Sequence, residues 1–481
     1  MRKAASQGGR YKRLAEATQR MPGSIELRGM RVLAVGLART GVATALFCAG
    51  RNAKVTATEA RPESALGDVP AKLREAGVTL ELGGHTEKTF LAQDLIIPSP
   101  GMPADDPFLV AARSKKITIW SEIELAHRFL EGKLIGITGS NGKTTTTTLV
   151  HHVLANSGVA AILAGNVGTA LISVVEQTNA RTVAVVELSS FQLELIERFR
   201  PDIGVLLNLT PDHLDRHKTM EAYAGAKARM FENQTELDAA VLNADDATTV
   251  GYAPKKPQLF WLSRKQAVKQ GAYLKGEDIV VTHKGGEEFV MKAQEIPLAG
   301  AHNLENALAA VMAARLAGVD AASIGKAVKT FAGVEHRLEF VAEIDGVKYY
   351  NDSKATNVDA TLKALDAFPG RMLIILGGKD KGSDYTVLQK PLREKAILAL
   401  LIGAASEKIE KQIAGSVALE RAETMERAVD IASHAAQAGD TVVLAPACAS
   451  FDQFQSYEHR GRVFKELVRQ IRRKSNGTLQ G

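Results

Sequence analysis

Cysteine and long apolar runs are scarce in this chain, and each scarcity excludes a class of protein. Only Cys48 and Cys448 occur among 481 residues, which is too few for a disulfide framework or a cysteine-rich metal site. No apolar run reaches the length of a membrane span, and runs such as 397–402 suit a buried strand. The basic N-terminus lacks the apolar segment of a secretory signal. We therefore expect a protein of the reducing cytoplasm without a membrane span.

Positive charge is concentrated at the two ends of the chain. The net charge is +6, yet residues 1–31 contribute +6 and residues 459–481 another +6, so the body between them carries −6. Basic ends on an acidic body argue against a nucleic-acid-binding surface spread over the fold. We interpret these ends as solvated and frayed, with residues 1–22 a flexible extension. The alternative is a weak contact with a membrane surface or a partner.

Short apolar strands alternate with helical stretches along most of the chain, which predicts an α/β fold of parallel sheets covered by helices. Such strands are expected at 31–36, 54–58, 133–138, 182–186, 203–207, 239–242, 371–376, 397–402 and 441–444. Turn signals within 257–298 predict a small antiparallel element, followed by a helix over 303–316. The length predicts two to four domains, with boundaries near residues 121 and 333.

A glycine-rich string between a predicted strand and a predicted helix has the features of a phosphate-binding loop. It consists of Gly139, Ser140, Asn141, Gly142, Lys143, Thr144 and Thr145. Glycines let the backbone wrap an anion, and the helix N-terminus favours negative charge. Lys143 can reach the terminal phosphates of a nucleotide, and the Thr144 hydroxyl can hold Mg²⁺. The spacing is shorter than usual, because Ile137 stands where the common pattern has a glycine. The alternative is a turn that merely caps a helix.

The turn after the first strand is a weaker indication of nucleotide binding. Gly36 and Gly41 match the ends of a dinucleotide-binding pattern, but Ala38 replaces the middle glycine. Glu59 follows about 20 residues later, where an acidic residue contacts a ribose. A dinucleotide and a uridine nucleotide are both compatible with this turn, and a turn without a ligand is the alternative.

Carboxylates and a histidine follow two apolar strands of the central region. Glu187 ends one strand, and Asp212 and His213 follow the next. Oxygen ligands with one imidazole suit Mg²⁺ or Mn²⁺ better than Zn²⁺. Lys227 lies in a helical stretch, where a solvated lysine is the ordinary interpretation.

Four polar strings occur in the last third of the chain, and three of them follow apolar strands. They are 336–337, 351–357, 377–382 and 446–453. In open parallel sheets, ligands bind beyond the carboxyl ends of the strands. The cations in these strings are Arg337, Lys354, Lys379 and Lys381. They predict an anionic ligand such as a phosphate or a dicarboxylic amino acid; turn chemistry alone would explain the glycines but not the lysines.

The order and spacing of these motifs, together with 302–303, resemble the Mur ligase family from about residue 25 to about residue 470. The strings 99–101, 352–357 and 447–453 are most similar to the members that add D-glutamate. The resemblance implies a Rossmann-like domain for a UDP-linked substrate at 1–121 and a central P-loop ATPase domain at 122–333. It implies a Rossmann-like domain for the amino acid at 334–481.

The resemblance also implies an activity and a set of ligands. The activity is ATP-dependent addition of D-glutamate to UDP-N-acetylmuramoyl-L-alanine through an acyl phosphate, in peptidoglycan synthesis. It implies ATP and two Mg²⁺ ions, with Mn²⁺ as an alternative, and we expect a monomer that binds no nucleic acid. The rival interpretations are another Mur ligase or a folylpolyglutamate synthase, a nicotinamide-dependent dehydrogenase, and a non-catalytic nucleotide switch.

Site residues follow from the resemblance position by position. The UDP-linked substrate is assigned Gly36, Thr40, Glu59, Arg61, Ser99, Asn166 and His213. ATP is assigned the loop 139–145 with Asn303, Asn306, Arg337 and Asp352. One metal ion is assigned Thr144 and Glu187, and the second His213 and a carbamylated Lys227. D-glutamate is assigned Lys354, Thr356, Lys381, Ser450 and Tyr457, with Lys379 as an alternative to Lys381. Lys143, Glu187, His213 and Lys227 are the expected catalytic residues.

Overall fold

The computed structural model of the chain describes residues 25–166, 168–298 and 300–477, apart from the side chains of Asp215 and residues 472–477. The extension predicted at 1–22 lies outside these ranges. The chain forms two compact units, the first from Met1–Glu295 and Glu305–Lys329, the second from Ile296–Leu304 and Thr330–Gly481. No helix in the described ranges combines the length and the apolar character needed to cross a lipid bilayer.

The N-terminal sheet of the first unit has five parallel strands in the order β3-β2-β1-β4-β5. They are β1 (Arg31–Val35), β2 (Lys54–Glu59), β3 (Thr79–Leu82), β4 (Leu95–Pro98) and β5 (Thr118–Ile119). Helices at Arg39–Gly50, Val69–Glu75, Glu87–Leu91 and Pro107–Ser114 accompany the strands. Strand β1 is apolar and buried from Val32 onward because helices cover both faces of such a sheet. Since β1 lies between β2 and β4, a ligand crevice is expected at its carboxyl end.

The central sheet of the same unit has nine strands in the order β14-β13-β12-β11-β10-β9-β6-β8-β7. They are β6 (Lys133–Thr138), β7 (Ala161–Gly165), β8 (Val183–Glu187), β9 (Ile203–Leu206), β10 (Ala239–Asn243), β11 (Gln258–Ser263), β12 (Gly271–Lys275), β13 (Asp278–His283) and β14 (Gly286–Lys292). Among these nine strands, only β12–β13 and β13–β14 pair antiparallel. The small antiparallel element predicted within 257–298 is therefore present as β12–β14. Strand β11, in the same range, pairs parallel with β10 because a crossover helix joins them.

Helices of the central region lie at Glu122–His127, Lys143–Asn156, Ser190–Leu193, Leu214–His217, Met220–Ala228, Ala247–Gly251, Ala301–Leu316 and Ala321–Val328. One continuous buried cluster joins apolar residues from both sheets of this unit, including Ala34 of β1, Val186 of β8 and Leu206 of β9. A second, smaller cluster holds Leu33 and Val35 of β1.

The sheet of the second unit has six strands in the order β15-β16-β20-β17-β18-β19. They are β15 (Glu339–Ile344), β16 (Val347–Asn351), β17 (Met372–Gly377), β18 (Ala396–Ile402), β19 (Ala418–Glu423) and β20 (Thr441–Leu444). Helices lie at Val358–Asp366, Gln389–Lys395, Ser406–Ile413, Met425–Ala435 and Tyr457–Gly477. Strands β15 and β16 form an antiparallel hairpin, and its turn has positive φ at Asp345 and Gly346, as two-residue hairpin turns require.

Candidate active site

The predicted phosphate loop lies between β6 and the helix Lys143–Asn156. Gly142 begins that helix with a left-handed φ of 84°, which glycine adopts without strain. The Lys143 ammonium donates hydrogen bonds to the carbonyl oxygens of Gly139, at 2.8 Å, and Ser140, at 2.7 Å. The loop therefore closes around its own lysine, and the Thr144 and Thr145 side chains that follow are buried.

Residues after strand β9 hold the phosphate loop in place. Asn208 Oδ1 accepts from the backbone N–H of Asn141 at 2.9 Å, and Asn208 Nδ2 donates to the Asn141 carbonyl at 3.1 Å. Ser140 Oγ donates to the Thr210 carbonyl at 2.8 Å. Tyr223 OH donates to Ser140 Oγ at 3.1 Å. Sequence reasoning missed Asn208 and Tyr223, although Asn208 shares the polar string that contains Asp212.

Glu187 lies at the end of β8, beside the phosphate loop in the sheet, and is only 2% exposed. Its Oε1 accepts a hydrogen bond from Asn166 Nδ2 at 3.0 Å. Its Oε2 is buried and has no hydrogen-bond partner among the described residues. A buried carboxylate oxygen without a partner is costly, so this atom has the environment expected of a ligand for a hard cation.

Lys227 is buried, at 2% exposure, contrary to its ordinary interpretation as a solvated helix lysine. Its Nζ lies 4.6 Å from the centroid of the Tyr223 ring. Burial lowers the pKa of Lys227 well below its usual value, and the nearby Lys143 lowers it further, while Asp212 and Glu187 act in the opposite direction. The structure therefore groups Lys143, Glu187, Asp212 and Lys227 within one electrostatic environment.

His213 lies on a turn in left-handed conformation, with φ of 52°. Its side chain is 50% exposed, and its Nε2 is 3.6 Å from Asp212 Oδ2. The ring meets the edge of Phe191 at 4.9 Å between centroids. Phe191 also stacks on the buried His217, whose Nε2 lies 2.9 Å from Ser190 Oγ. Phe191 and His217, which were not predicted as site residues, support the turn that presents His213.

The first-strand turn is more tightly constrained than its incomplete glycine pattern suggests. A Cβ on Gly36 would lie 2.9 Å from Ser99 Cβ, and a Cβ on Gly41 would lie 1.7 Å from the Gly36 carbonyl oxygen. Ala38, where the pattern has its middle glycine, is exposed. Thr40 lies in the first turn of the following helix, Arg39–Gly50. The turn thus brings the predicted substrate residues Gly36 and Ser99 into direct contact.

Glu59 holds this turn through its carboxylate. Its Oε2 accepts from the backbone N–H of Leu37 at 2.8 Å. Arg61 donates through Nε to Oε1 at 3.1 Å and through Nη2 to Oε2 at 2.9 Å. The hydrogen bonds from Arg61 lower the pKa of Glu59 to about 2. In this structure Glu59 fixes the turn and orients Arg61.

Arg216 joins the Ser99 loop to the segment that carries His213. Its guanidinium donates to the carbonyls of Pro100, at 2.7 Å, and Met102, at 2.9 Å. It also donates to Glu194 Oε2 at 2.9 Å. Two groups of residues predicted to bind the UDP-linked substrate are thereby held together within the first unit.

In the second unit the predicted nucleotide and amino-acid residues lie close together. Asp352 is buried, and burial raises the pKa of its carboxyl to about 7, although nearby Arg337 lowers it. Lys354 Nζ lies 5.1 Å from the Tyr457 ring centroid. The Thr356 N–H donates to the Lys354 carbonyl at 2.8 Å. These contacts place Arg337 beside Asp352, and Lys354 beside Tyr457.

The remaining predicted residues of the second unit and of the helix Ala301–Leu316 differ in exposure. Lys379 exchanges two backbone hydrogen bonds with Ala449, at 2.8 and 3.2 Å, next to the buried Ser450. Lys379 and Lys381 are both exposed, so the choice between them stays open. Asn303 and Asn306 are buried on the helix Ala301–Leu316.

A second group of potential metal ligands consists of Glu335, His336 and Glu339. The Lys465 ammonium already donates to both carboxylates, at 2.6 Å to Glu335 and 2.8 Å to Glu339. This ammonium offsets one of the two negative charges and already occupies an oxygen of each carboxylate, whereas Glu187 Oε2 has no hydrogen-bond partner among the described residues.

Sequence models of three domains match the chain. They are the MurD-like N-terminal domain of Mur ligases at residues 30–121, the Mur ligase middle domain at 137–314, and the Mur ligase glutamate ligase domain at 336–448. A solved structure of MurF ligase from Thermotoga maritima in complex with ADP is similar in fold, with a TM-score of 0.58 at 16% identity. That similarity covers 93% of this chain and 96% of the MurF chain.

Two curated relatives extend the similarity to nearly the whole chain. The UDP-N-acetylmuramoylalanine–D-glutamate ligase of Koribacter versatilis (strain Ellin345) is 52% identical over 448 residues, covering 93% of this chain and 99% of the relative. The enzyme of the same name from Solibacter usitatus (strain Ellin6076) is 52% identical over 445 residues, covering 92% and 98%. With three domain models in order and relatives this similar, the chain belongs to the Mur ligase family.

Proposed function

We propose that this chain is the ATP-dependent ligase that joins D-glutamate to UDP-N-acetylmuramoyl-L-alanine, a step of peptidoglycan synthesis in the cytoplasm. The observation that carries the proposal is the phosphate loop with Lys143, in the same electrostatic environment as the buried Glu187 and Lys227. A phosphate loop binds ATP, and the buried carboxylate and lysine supply groups for phosphoryl transfer. The names of the relatives support the choice of substrates.

The reaction needs an activated carboxyl group because a free carboxylate would have to expel oxide. The carboxylate of the alanyl group attacks the γ-phosphorus of ATP, ADP leaves, and a mixed anhydride forms. The neutral amine of D-glutamate then attacks the acyl carbon, phosphate leaves with the bonding electrons, and the nitrogen loses a proton. Lys143 lies where it can bind the transferring phosphoryl group once it turns from the loop carbonyls.

Thr144 and Glu187 would hold Mg²⁺ beside the phosphate loop, with Mn²⁺ as a substitute. The fit rests on the Glu187 Oε2 atom, which is buried without a partner in the described chain, and on the hard oxygen donors of both side chains. A bound Mg²⁺ supplies positive charge that offsets the negative charge of the phosphates. Asn166 orients the Glu187 carboxylate through its hydrogen bond to Oε1.

Lys227 would take part in a second cation site with His213. A cationic ammonium cannot be a metal ligand, but a neutral amine can react with CO₂, lose a proton and become a carbamate with two oxygen donors. The lowered pKa of Lys227 supports this, because it keeps a larger share of the amine neutral. The remaining assignments for the UDP-linked substrate, ATP and D-glutamate, the boundaries near residues 121 and 333, and the monomeric state also stay proposals.

The test is phosphate release from ATP by the full chain with UDP-N-acetylmuramoyl-L-alanine, across single amino acids including both enantiomers of glutamate. We expect turnover that requires D-glutamate, and loss of that turnover in Lys143→Ala. Turnover with another amino acid or acceptor would overturn the proposed substrates while keeping the ligase chemistry. A Lys143→Ala variant with near-normal activity would overturn the assignment of the phosphate loop.

A further inference from the structure

One arginine of the second unit is completely buried, and within the described residues its guanidinium bonds to loops of the proposed amino-acid site. Arg460 lies in the helix Tyr457–Gly477 and is 0% exposed. Its Nε donates to Ser353 Oγ at 3.0 Å and its Nη2 to the Ser353 carbonyl at 2.8 Å. Its Nη1 donates to the carbonyls of Cys448, at 3.1 Å, and Ala449, at 3.3 Å. One guanidinium therefore joins the loop that precedes Lys354 to the loop that precedes Ser450.

A third loop packs against the same group. A Cβ on Gly378 would lie 3.1 Å from Arg460 Nη1 and 2.3 Å from the Ala449 carbonyl oxygen. The next residue, Lys379, pairs with Ala449 through two backbone hydrogen bonds. The loop that carries Lys379 and Lys381 is thus positioned on the backbone that Arg460 holds.

The charge of Arg460 has no carboxylate hydrogen-bonded to it within the described part of the chain. Burial lowers the pKa of Arg460 to about 10, so the guanidinium still carries its charge at neutral pH. Carbonyl and hydroxyl oxygens satisfy its donors without neutralising it. The Asp452 carboxylate favours the charged guanidinium through space, without a hydrogen bond to it in the described residues. A positive charge of this kind stabilises an anion bound nearby more strongly than it would in water.

We propose that Arg460 is a positioning residue of the amino-acid site, which fixes the Ser353 and Ala449 backbone so that Lys354 and Ser450 meet a dicarboxylic amino acid. Its charge, which has no hydrogen-bonded carboxylate in the described part of the chain, also favours a ligand with a second carboxylate over one with a neutral amide. This inference rests on the proposed function. Only arginine offers donors in a planar fork that can reach both loops at once, and a lysine ammonium cannot reproduce that geometry.

The first test is steady-state kinetics of Arg460→Lys and Arg460→Met in the full chain, with D-glutamate, ATP and UDP-N-acetylmuramoyl-L-alanine varied separately. Arg460→Lys should raise KM for D-glutamate about tenfold while the other two KM values change less than about twofold. Arg460→Met should also reduce the preference for D-glutamate over D-glutamine, because it removes the charge. The matched control is Arg462→Lys, since Arg462 is exposed on the same helix; it should change neither quantity.

The second test removes one hydroxyl, which accepts from Arg460 Nε and donates to the Tyr457 carbonyl at 2.8 Å, and it disturbs folding less than loss of the guanidinium. Ser353→Ala deletes the hydroxyl that accepts from Arg460 Nε and should raise KM for D-glutamate about threefold. If Arg460 acts through this loop, the double variant Ser353→Ala/Arg460→Lys should raise KM by less than the product of the two single effects. This measurement keeps the proposal testable even if Arg460→Met does not fold.

An equal rise of all three KM values, or a fall of kcat with an unchanged KM for D-glutamate, would overturn the proposal, because it would indicate a purely structural role. A double variant with fully multiplicative effects would overturn the action through Ser353. If the wild-type chain used a different amino acid, the proposed substrate would fail, and the same KM comparison with that amino acid would decide the role of Arg460. Failure of the wild-type chain with every amino acid would overturn both proposals.

Discussion

The side chain of Asn306 occupies the place where a Cβ on Gly142 would lie. An ideal Cβ there would be 2.1 Å from Asn306 Oδ1, and the same oxygen is 3.3 Å from Thr146 Oγ1, the donor of a hydrogen bond. The phosphate loop and the helix Ala301–Leu316 therefore meet at a point that admits only glycine.

Gly142→Ala should abolish ATP binding by the loop. The substitution forces a side chain into Asn306 and into a left-handed φ of 84°, which costs a non-glycine residue about 1 kcal/mol before any clash. We expect turnover to fall by about 100-fold or more, measured as phosphate release and by calorimetric titration with ATP.

The control for that variant is Gly158→Ala, which follows the other end of the same helix. Gly158 also has a positive φ, of 76°, but a Cβ there meets nothing within 4 Å. Gly158→Ala should therefore lower the free energy of unfolding by about 1 kcal/mol and leave turnover unchanged. Equal loss of activity in both variants would show that backbone strain, and not the contact with Asn306, is responsible.

Lys227→Ala should lose most activity and regain part of it with added short-chain carboxylic acids. An acid of this kind can occupy the space left by the side chain and supply the two oxygens of the proposed carbamate. The measurement is phosphate release as a function of acetate or propionate concentration. Lys143→Ala is the matched control, because a carboxylate cannot replace a cation, so no acid should rescue it. Absence of rescue in Lys227→Ala would contradict the carbamate.

Glu122 should make stability depend on pH. It is fully buried, its Oε1 accepts from the Ile172 N–H at 2.6 Å, and its Oε2 has no partner in the described ranges. Burial raises the pKa of Glu122 from 4.5 to about 7. The folded state therefore binds more protons than the unfolded state, and stability falls as pH rises through this interval.

Glu122→Gln resembles the protonated side chain at every pH. It should match the wild-type chain near pH 5 and exceed it near pH 8, by about 3 kcal/mol at most, since one pKa unit corresponds to about 1.4 kcal/mol. Thermal unfolding at matched ionic strength measures the difference. Glu131→Gln, at an exposed position, should show no such trend. A constant difference between Glu122→Gln and the wild-type chain across pH would contradict the prediction.

Glu59→Gln should weaken binding of the UDP-linked substrate and leave binding of ATP unchanged. The amide loses the ion pair that orients Arg61 and places a donor beside the Leu37 N–H. We expect KM for UDP-N-acetylmuramoyl-L-alanine to rise about tenfold, with KM for ATP unchanged. Steady-state kinetics with each substrate varied in turn would measure both, and a parallel rise in the two KM values would refute a local effect. Glu63→Gln is a suitable control, because Glu63 pairs with Arg74 at the surface.

Most strands could be predicted from the sequence because they are short apolar runs that helices bury on both faces. Strands β6, β9 and β17 begin or end within one residue of the predicted bounds. The hairpin of β15 and β16 was missed because its exposed positions carry charged residues such as Glu343 and Lys348. Its sequence lacks the continuous apolar character of a buried parallel strand.

Residues of the candidate site could be predicted where a motif is contiguous, as in the phosphate loop. Contacts between motifs could not be predicted, because only folding brings motifs that are distant in sequence close together. Asn166 and Glu187 are 21 positions apart, and Ser353 and Arg460 are 107 apart. The burial of Lys227 was equally hidden, since its helix shows little separation of polar and apolar faces that would mark an inward lysine.

The hydrogen bond between Asn166 and Glu187 has a consequence for inhibitors and for resistance to them. The amide assigned to the sugar of the acceptor also steadies the carboxylate assigned to the cation beside ATP. On the proposed assignments, a compound that displaced this amide would weaken both acceptor binding and cation binding beside ATP. A resistance substitution at Asn166 would weaken the same two interactions, so it would also lower the activity of the resistant protein.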